Sequence, residues 1–137
     1  VSLADGSGVT GTARSGRFLF GVPPAGAKAS GLSGKLVRVE GTFTRAGTSK
    51  AFVATAGADD LKDSAGENKV DGCVFSSGVI TGPGTVTVKI ALTTWFDQVD
   101  FDKATPSDPA SLDGTEAGNA FVRGLQKALA YQFSYAK

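Results

Sequence analysis

Short apolar runs alternate with polar residues along most of this chain, and glycine or proline separates one run from the next. Val37, Val39 and Phe43 share one face of an extended segment whose other face is polar. Residues 85–96 and 128–136 show the same two-residue period. Because side chains alternate sides along a β-strand, this period indicates strands with one buried face. The pattern therefore predicts a mainly β protein.

Seven or eight short strands are predicted in this way. The turn sequence Arg45-Ala46-Gly47-Thr48 joins two of them into a hairpin. Three segments that are polar or made of small residues are predicted to be loops, and residues 57–69 could also form a short helical turn. The predicted strands are 9–13, 17–22, 35–44, 50–55, two within 70–80, 85–96 and 128–136, and the loops are 25–34, 57–69 and 97–114.

One helix is predicted late in the chain, over about residues 114–126. Asp113 followed by Glu116 three residues later is typical of a capping box. Phe121 and Leu125 then lie four residues apart on one helical face. Two glycines within this segment, at positions 118 and 124, each weaken a helix by about 1 kcal/mol relative to alanine.

These elements predict a single domain over residues 1–137. Strands of this number and spacing close as a two-sheet sandwich or as a partly closed barrel, with the one short C-terminal helix covering an end or a face. Residues 1–8 are polar and rich in glycine. We expect them to form a flexible lead-in, or a strand donated to a neighbouring molecule.

Composition excludes several classes of function. The chain has no histidine, which removes Ser–His and Cys–His nucleophile pairs and histidine-based zinc sites. The net charge of +1 and the absence of any basic cluster argue against nucleic-acid binding. No apolar run approaches the ~18 residues of a membrane-spanning helix.

Cys73, the single cysteine, cannot form an intrachain disulfide and is expected to be buried. A chain without an initiator methionine suggests a processed, exported protein.

The densest carboxylates follow the only tryptophan, at Asp97, Asp100 and Asp102. Calcium prefers carboxylate and carbonyl oxygens gathered on a loop, so these three residues are candidate Ca²⁺ ligands, with a solvated acidic loop as the alternative. Trp95 is a candidate platform for stacking a sugar ring, with burial under the predicted helix as the alternative. A carboxylate pair could also support glycoside hydrolysis, an interpretation that we rank below the others.

The segment Trp95-Phe96-Asp97-Gln98-Val99-Asp100-Phe101, followed by Gly118-Asn119-Ala120-Phe121-Val122-Arg123-Gly124 and an aromatic strand, resembles the C-terminal part of exported bacterial lipoprotein-type β domains. This resemblance covers about a third of the chain and implies an exported bacterial protein. It assigns no chemistry to any residue. No lipobox cysteine lies near residue 1, so the resemblance does not extend to a lipid anchor.

Taken together, the sequence predicts a non-enzymatic extracytoplasmic domain with a structural or binding role at a bacterial surface. A protein partner, self-association and a carbohydrate ligand are all compatible with it. One alternative is a self-assembling filament or pilus-type subunit that exchanges its N-terminal strand. A second alternative is a Ca²⁺-assisted carbohydrate-binding module that uses Trp95, Asp97, Asp100 and Asp102.

Overall fold

A computed structural model describes residues 5–8, 10–21, 31–76 and 78–137. These residues form a mainly β fold with nine strands in three sheets, including a curled, half-barrel sheet. The mainly β prediction is therefore confirmed. The strands are β1 (Gly11–Thr12), β2 (Ser15–Leu19), β3 (Val37–Arg45), β4 (Thr48–Ala56), β5 (Lys69–Phe75), β6 (Val79–Ile80), β7 (Thr85–Ile90), β8 (Ala110–Ser111) and β9 (Tyr131–Ala136).

In the described residues, two helices lie among the strands, α1 (Leu92–Phe96) and α2 (Glu116–Leu125). Only α2 is longer than five residues, and it is the helix that the sequence predicts. Three single 3-10 turns add to these, at Asp59–Leu61, Phe101–Lys103 and Ala128–Ala130. The predicted loop over 25–34 and the predicted lead-in over 1–8 lie partly outside the described residues, and residues 5–8 are exposed and belong to no strand or helix.

The β3–β4 hairpin is the longest pairing in the fold. Its antiparallel register runs from Val37 opposite Ala56 to Arg45 opposite Thr48. The two turn residues, Ala46 and Gly47, both have positive φ, at 46° and 78°. Two positive φ values in a two-residue loop are the geometry of a type I′ turn, whose twist matches that of the strands. The predicted hairpin is thus confirmed, and β8 extends its sheet as a short parallel third strand.

A four-stranded sheet has the order β2-β5-β9-β7 and includes the C-terminal strand at its centre. Tyr131 at the start of β9 is fully buried, and its ring stacks on Phe18 with 4.2 Å between centroids. The predicted strand over 128–136 is confirmed only from Tyr131 onward. The two-residue period places Leu129 on the same face as Tyr131, but it lies in the preceding 3-10 turn and is 69% exposed. That turn connects α2 to β9.

The predicted strand over 85–96 is wrong in its second half. The chain leaves the sheet after Ile90, and residues 92–96 form α1. A strand would point Trp95 and Phe96 to opposite faces, whereas successive helical side chains are only about 100° apart. Both rings therefore reach Phe121 of α2, with centroid separations of 6.4 and 5.1 Å. This shared aromatic contact explains the change from strand to helix.

The N-terminal cap of α2 also differs from the predicted capping box. The hydroxyl of Thr115 accepts the N–H of Gly118 at 3.1 Å. Asp113 instead accepts hydrogen bonds from Thr55, at 3.0 Å from its N–H and 2.7 Å from its hydroxyl. Aspartate and threonine are both good caps. Gly114, with φ of +70°, turns Asp113 away from the helix and toward β4.

Candidate binding groove

The described residues contain a half-open groove of about 810 Å³ between the tip of the β3–β4 hairpin and the segment that leads into β8. Its floor is apolar and consists of Phe43, Phe101, Ala104 and Ala110. Polar and charged side chains form the rim on both sides. On the hairpin these are Arg45, Thr48, Ser49 and Lys50, and on the opposite wall they are Asp102, Thr105, Ser107 and Asp108.

The groove lies next to the buried core, on the same side of β4. Phe52, Ala54 and Ala56 of β4 are buried on the side that faces the interior. Because strand side chains alternate, Lys50 and Thr48 lie on this same side, and both are exposed. Apolar side chains here would complete the core. The polar pair instead leaves an opening above Phe43 and Phe101.

Aromatic packing fixes the floor. The rings of Phe43 and Phe101 stack with 4.5 Å between centroids and an interplanar angle of 13°. Phe52 packs edge-on against Phe101 at 5.0 Å, and Phe96 of α1 lies next to both. Edge-on and offset contacts of this kind are favoured by the ring quadrupoles. The two walls are thus held at a set separation by rings that belong to the core.

Charges at the rim are only partly paired. Arg45 forms an ion pair with Asp102 that joins the two walls directly. Lys50 and Asp108 also line the groove, one on each wall. Across the described ranges, neither has an ion-pair partner. Within the part of the chain that the structure describes, the groove therefore presents one unpaired cation and one unpaired anion on opposite sides of an apolar floor.

The wall opposite the hairpin is itself an ordered loop. Thr105 and Ser111 form an antiparallel bridge, with their backbone groups hydrogen-bonded at 2.8 and 3.2 Å. The hydroxyl of Ser107 donates to the carbonyl of Pro109 at 2.7 Å. These bonds close residues 105–111 on themselves, so the loop does not continue the pairing of β8 along β4.

The structure separates the residues that the sequence grouped as a Ca²⁺ and sugar site. Trp95 is only 8% exposed and packs against Phe121 and Tyr131, which agrees with burial under the helix. Asp97 binds Lys127, whose ammonium lies 2.7 Å from both carboxylate oxygens. Asp100 accepts the N–H of Asp102 at 3.0 Å and caps the 3-10 turn there.

Of the four site residues predicted from the sequence, only Asp102 lies in the groove, where it binds Arg45. Asp100 and Asp102 flank and enter a 3-10 turn within the predicted loop over 97–114. Among the residues that the structure describes, no group of three or more Asp, Glu, Cys or His side chains is arranged to hold a metal ion. Calcium binding remains a prediction from sequence.

Sequence reasoning missed Phe43, Arg45, Lys50 and Asp108 as site residues because the two walls are more than fifty residues apart in the chain.

Two further features bear on function. Cys73 is fully buried as expected, and burial raises the pKa of its thiol. Within the described part of the chain, no helix has the length and apolar character needed to cross a bilayer.

Comparisons with known proteins give no match to a protein-family model, to a curated protein or to a solved structure. The resemblance to exported lipoprotein-type domains therefore remains a prediction, and function has to be argued from the groove.

Proposed function

We propose that this domain is a non-enzymatic binding module and that the groove between the β3–β4 hairpin and residues 101–110 is its ligand site. The observation that carries the proposal is the groove of about 810 Å³ with an apolar aromatic floor and a charged rim. Ligand sites are typically clefts of about 300–1,000 Å³, lined by apolar groups with a few oriented polar ones. The groove has that size and that composition.

The non-enzymatic part of the proposal rests on the side chains that the chain carries. Most nucleophilic mechanisms need a general base next to the nucleophile, and histidine, the commonest such base, is missing from the sequence. The only thiol is buried with a raised pKa, which opposes thiolate formation. The extracytoplasmic location at a bacterial surface is part of the same proposal, on the sequence features alone, and cell fractionation of the source organism tests it.

Filling the groove with a large side chain tests whether it is the ligand site. Thr48→Trp places a large ring on the exposed, groove-facing side of β4. Thr42→Trp is the matched control, because Thr42 is exposed on the opposite face of the same hairpin. The native chain and both variants are screened on a glycan array and against a random-peptide phage library.

We expect binders whose affinity falls at least about tenfold in Thr48→Trp, which corresponds to a loss of about 1.4 kcal/mol, and stays unchanged in Thr42→Trp. Circular dichroism spectra and melting temperatures of the two variants verify that both are folded. Equal binding by all three proteins, or no binder from either screen, would contradict the proposal.

A filament or pilus-type subunit is the second candidate, and the geometry of β1 favours it. This strand pairs with β6 through only two residue pairs, Gly11 opposite Ile80 and Thr12 opposite Val79, in a sheet of its own. Such a short, exposed pairing is easily exchanged for an equivalent one in a neighbouring molecule. Negative-stain microscopy and light scattering should then show assemblies that disappear when residues 1–14 are removed. A full-length chain that stays monomeric at high concentration would exclude this candidate.

A further inference from the structure

The groove side of β4 is an open sheet edge. β3 pairs with all nine residues of β4, but β8 pairs only with Phe52 and Val53. Residues 48–51 therefore have a strand on one side and, among the described residues, none on the other. These four residues line the groove. Open strand edges carry rows of N–H and C=O groups that are able to pair with another chain.

Two hydrogen bonds show which residues of β4 direct their backbone groups to that edge. The carbonyl of Val53 accepts the N–H of Leu112 at 3.0 Å, and the N–H of Thr55 donates to the carboxylate of Asp113 at 3.0 Å. Backbone groups alternate sides along a strand, so the odd-numbered residues of β4 face away from β3. Ser49 consequently directs both its N–H and its C=O into the groove. Ala51 directs only its N–H there, because its carbonyl pairs with the N–H of Ala110 at the start of β8.

Apart from β8, no strand of the described residues pairs with this edge. β8 begins at Ala110, which pairs with Phe52 of β4. Residues 105–109 then turn back on themselves through the bridge from Thr105 to Ser111. A gap is thus left in line with β8, between β4 and the opposite wall.

We propose that the groove binds an extended peptide segment of a partner protein, which adds to the open edge of β4 as a strand in line with β8. The proposal deepens, and rests on, the assignment of the groove as the ligand site. Backbone hydrogen bonds to the N–H and C=O of Ser49 and to the N–H of Ala51 fix the main chain, and an apolar side chain packs on the stacked rings of Phe43 and Phe101. This is the peptide-recognition mode known as β-augmentation.

Charge selects the flanking side chains of that peptide. Lys50 and Asp108 face the groove from opposite walls without ion-pair partners among the described residues. A peptide with an acidic side chain next to Lys50 and a basic one next to Asp108 satisfies both. The preferred sequence therefore combines an apolar residue with one acidic and one basic residue.

The experiment alters the peptide backbone and leaves the protein unchanged. A synthetic peptide with the consensus of the phage screen is prepared in two forms, with N-methyl groups at its odd or at its even positions. In a strand, alternate N–H groups point to opposite sides, so only one form loses the N–H groups that face β4. We expect that form to bind at least about tenfold more weakly by calorimetry, and the other form to bind within about threefold of the parent peptide.

The remaining outcomes separate this inference from the proposed function. Glycan binders that Thr48→Trp blocks, or peptides that tolerate both methylation patterns equally, would overturn strand addition and leave the groove as the ligand site. A full-length chain whose dimerisation is abolished by Thr48→Trp would show that a second copy occupies the groove instead. Failure of every binder to respond to Thr48→Trp would remove both proposals together.

Discussion

Gly124→Ala should destabilise the protein, although helix propensity alone predicts the opposite. Gly124 is buried in α2 at the point where this helix crosses α1. A Cβ atom there would lie 2.7 Å from both the Cα and the carbonyl carbon of Trp95, and closer still to the carbonyl oxygen. These are backbone atoms, so no change of side-chain rotamer relieves the overlap, and the two helices would have to separate.

The expected magnitude follows from two opposing contributions. Alanine favours a helix interior over glycine by about 1 kcal/mol. Overpacking of a close contact costs about 1–3 kcal/mol, and we take the upper end because the clash is with main chain. The net loss is about 2 kcal/mol of unfolding free energy. For a chain of this length, the melting temperature should fall by about 6–10 °C.

Urea unfolding followed by far-ultraviolet circular dichroism measures this loss. Fluorescence offers a second probe, because the only tryptophan is the residue that Gly124 contacts. Asn119→Ala is the control, since position 119 is exposed on the same helix and should gain about 0.5 kcal/mol from propensity. A Gly124→Ala protein that is as stable as the Asn119→Ala protein would refute the argument from close approach.

Three further predictions follow from individual contacts. Cys73 is fully buried, so it should not react with a thiol reagent in the native state and should react at the rate of local or global opening, which mass spectrometry measures. The N–H groups of Glu67 and Ala65 donate to the carboxylate of Asp63 and lower the pKa of Asp63 below its ordinary value of 3.8. The ionised carboxylate of Asp63 therefore stabilises the fold above pH 3.8, and this effect is lost as the pH falls through the lower pKa of the folded state. Denaturant titrations should show that the native chain is more stable than Asp63→Asn at neutral pH. The difference in unfolding free energy between the two should narrow below pH 3.8. Asp113→Ala should cost about 1–3 kcal/mol in the same titrations, because the N–H and hydroxyl of Thr55 lose their acceptor; an unchanged midpoint would show that water replaces it fully.

The sequence pattern alone was sufficient to predict the elements that are fixed by residues close together in the chain. The hairpin of residues 37–56 follows from strict alternation and a two-residue turn, both of which are visible in the sequence. The helix after residue 115 follows from the apolar stripe that places Phe121 and Leu125 on one face, although its predicted cap was wrong. In each case the interactions that fix the element come from residues close in sequence, so periodicity and turn chemistry were enough.

Pattern failed where a distant partner selects between two local structures. Residues 91–96 alternate as a strand would, yet Trp95 and Phe96 both pack on Phe121, which is 25 residues later in the chain. Asp113 has the sequence context of a helix cap, yet Thr55 of β4 binds it. Neither partner is identifiable before the fold is known, because tertiary contacts override local propensity.

The groove coincides with a break in the alternation of apolar and polar residues along β4. Along the interior face of β4, the residues read Ala56, Ala54, Phe52, Lys50 and Thr48 from the centre of the sheet toward the turn. The change from apolar to polar at Lys50 is a break in an otherwise consistent alternation, and an alternation that served stability alone would continue to the turn. Breaks of this kind are expected where a protein gives up packing for function. The break coincides with the start of β8 and with the stacked rings of Phe43 and Phe101, which supports the proposal that the open edge is a ligand site.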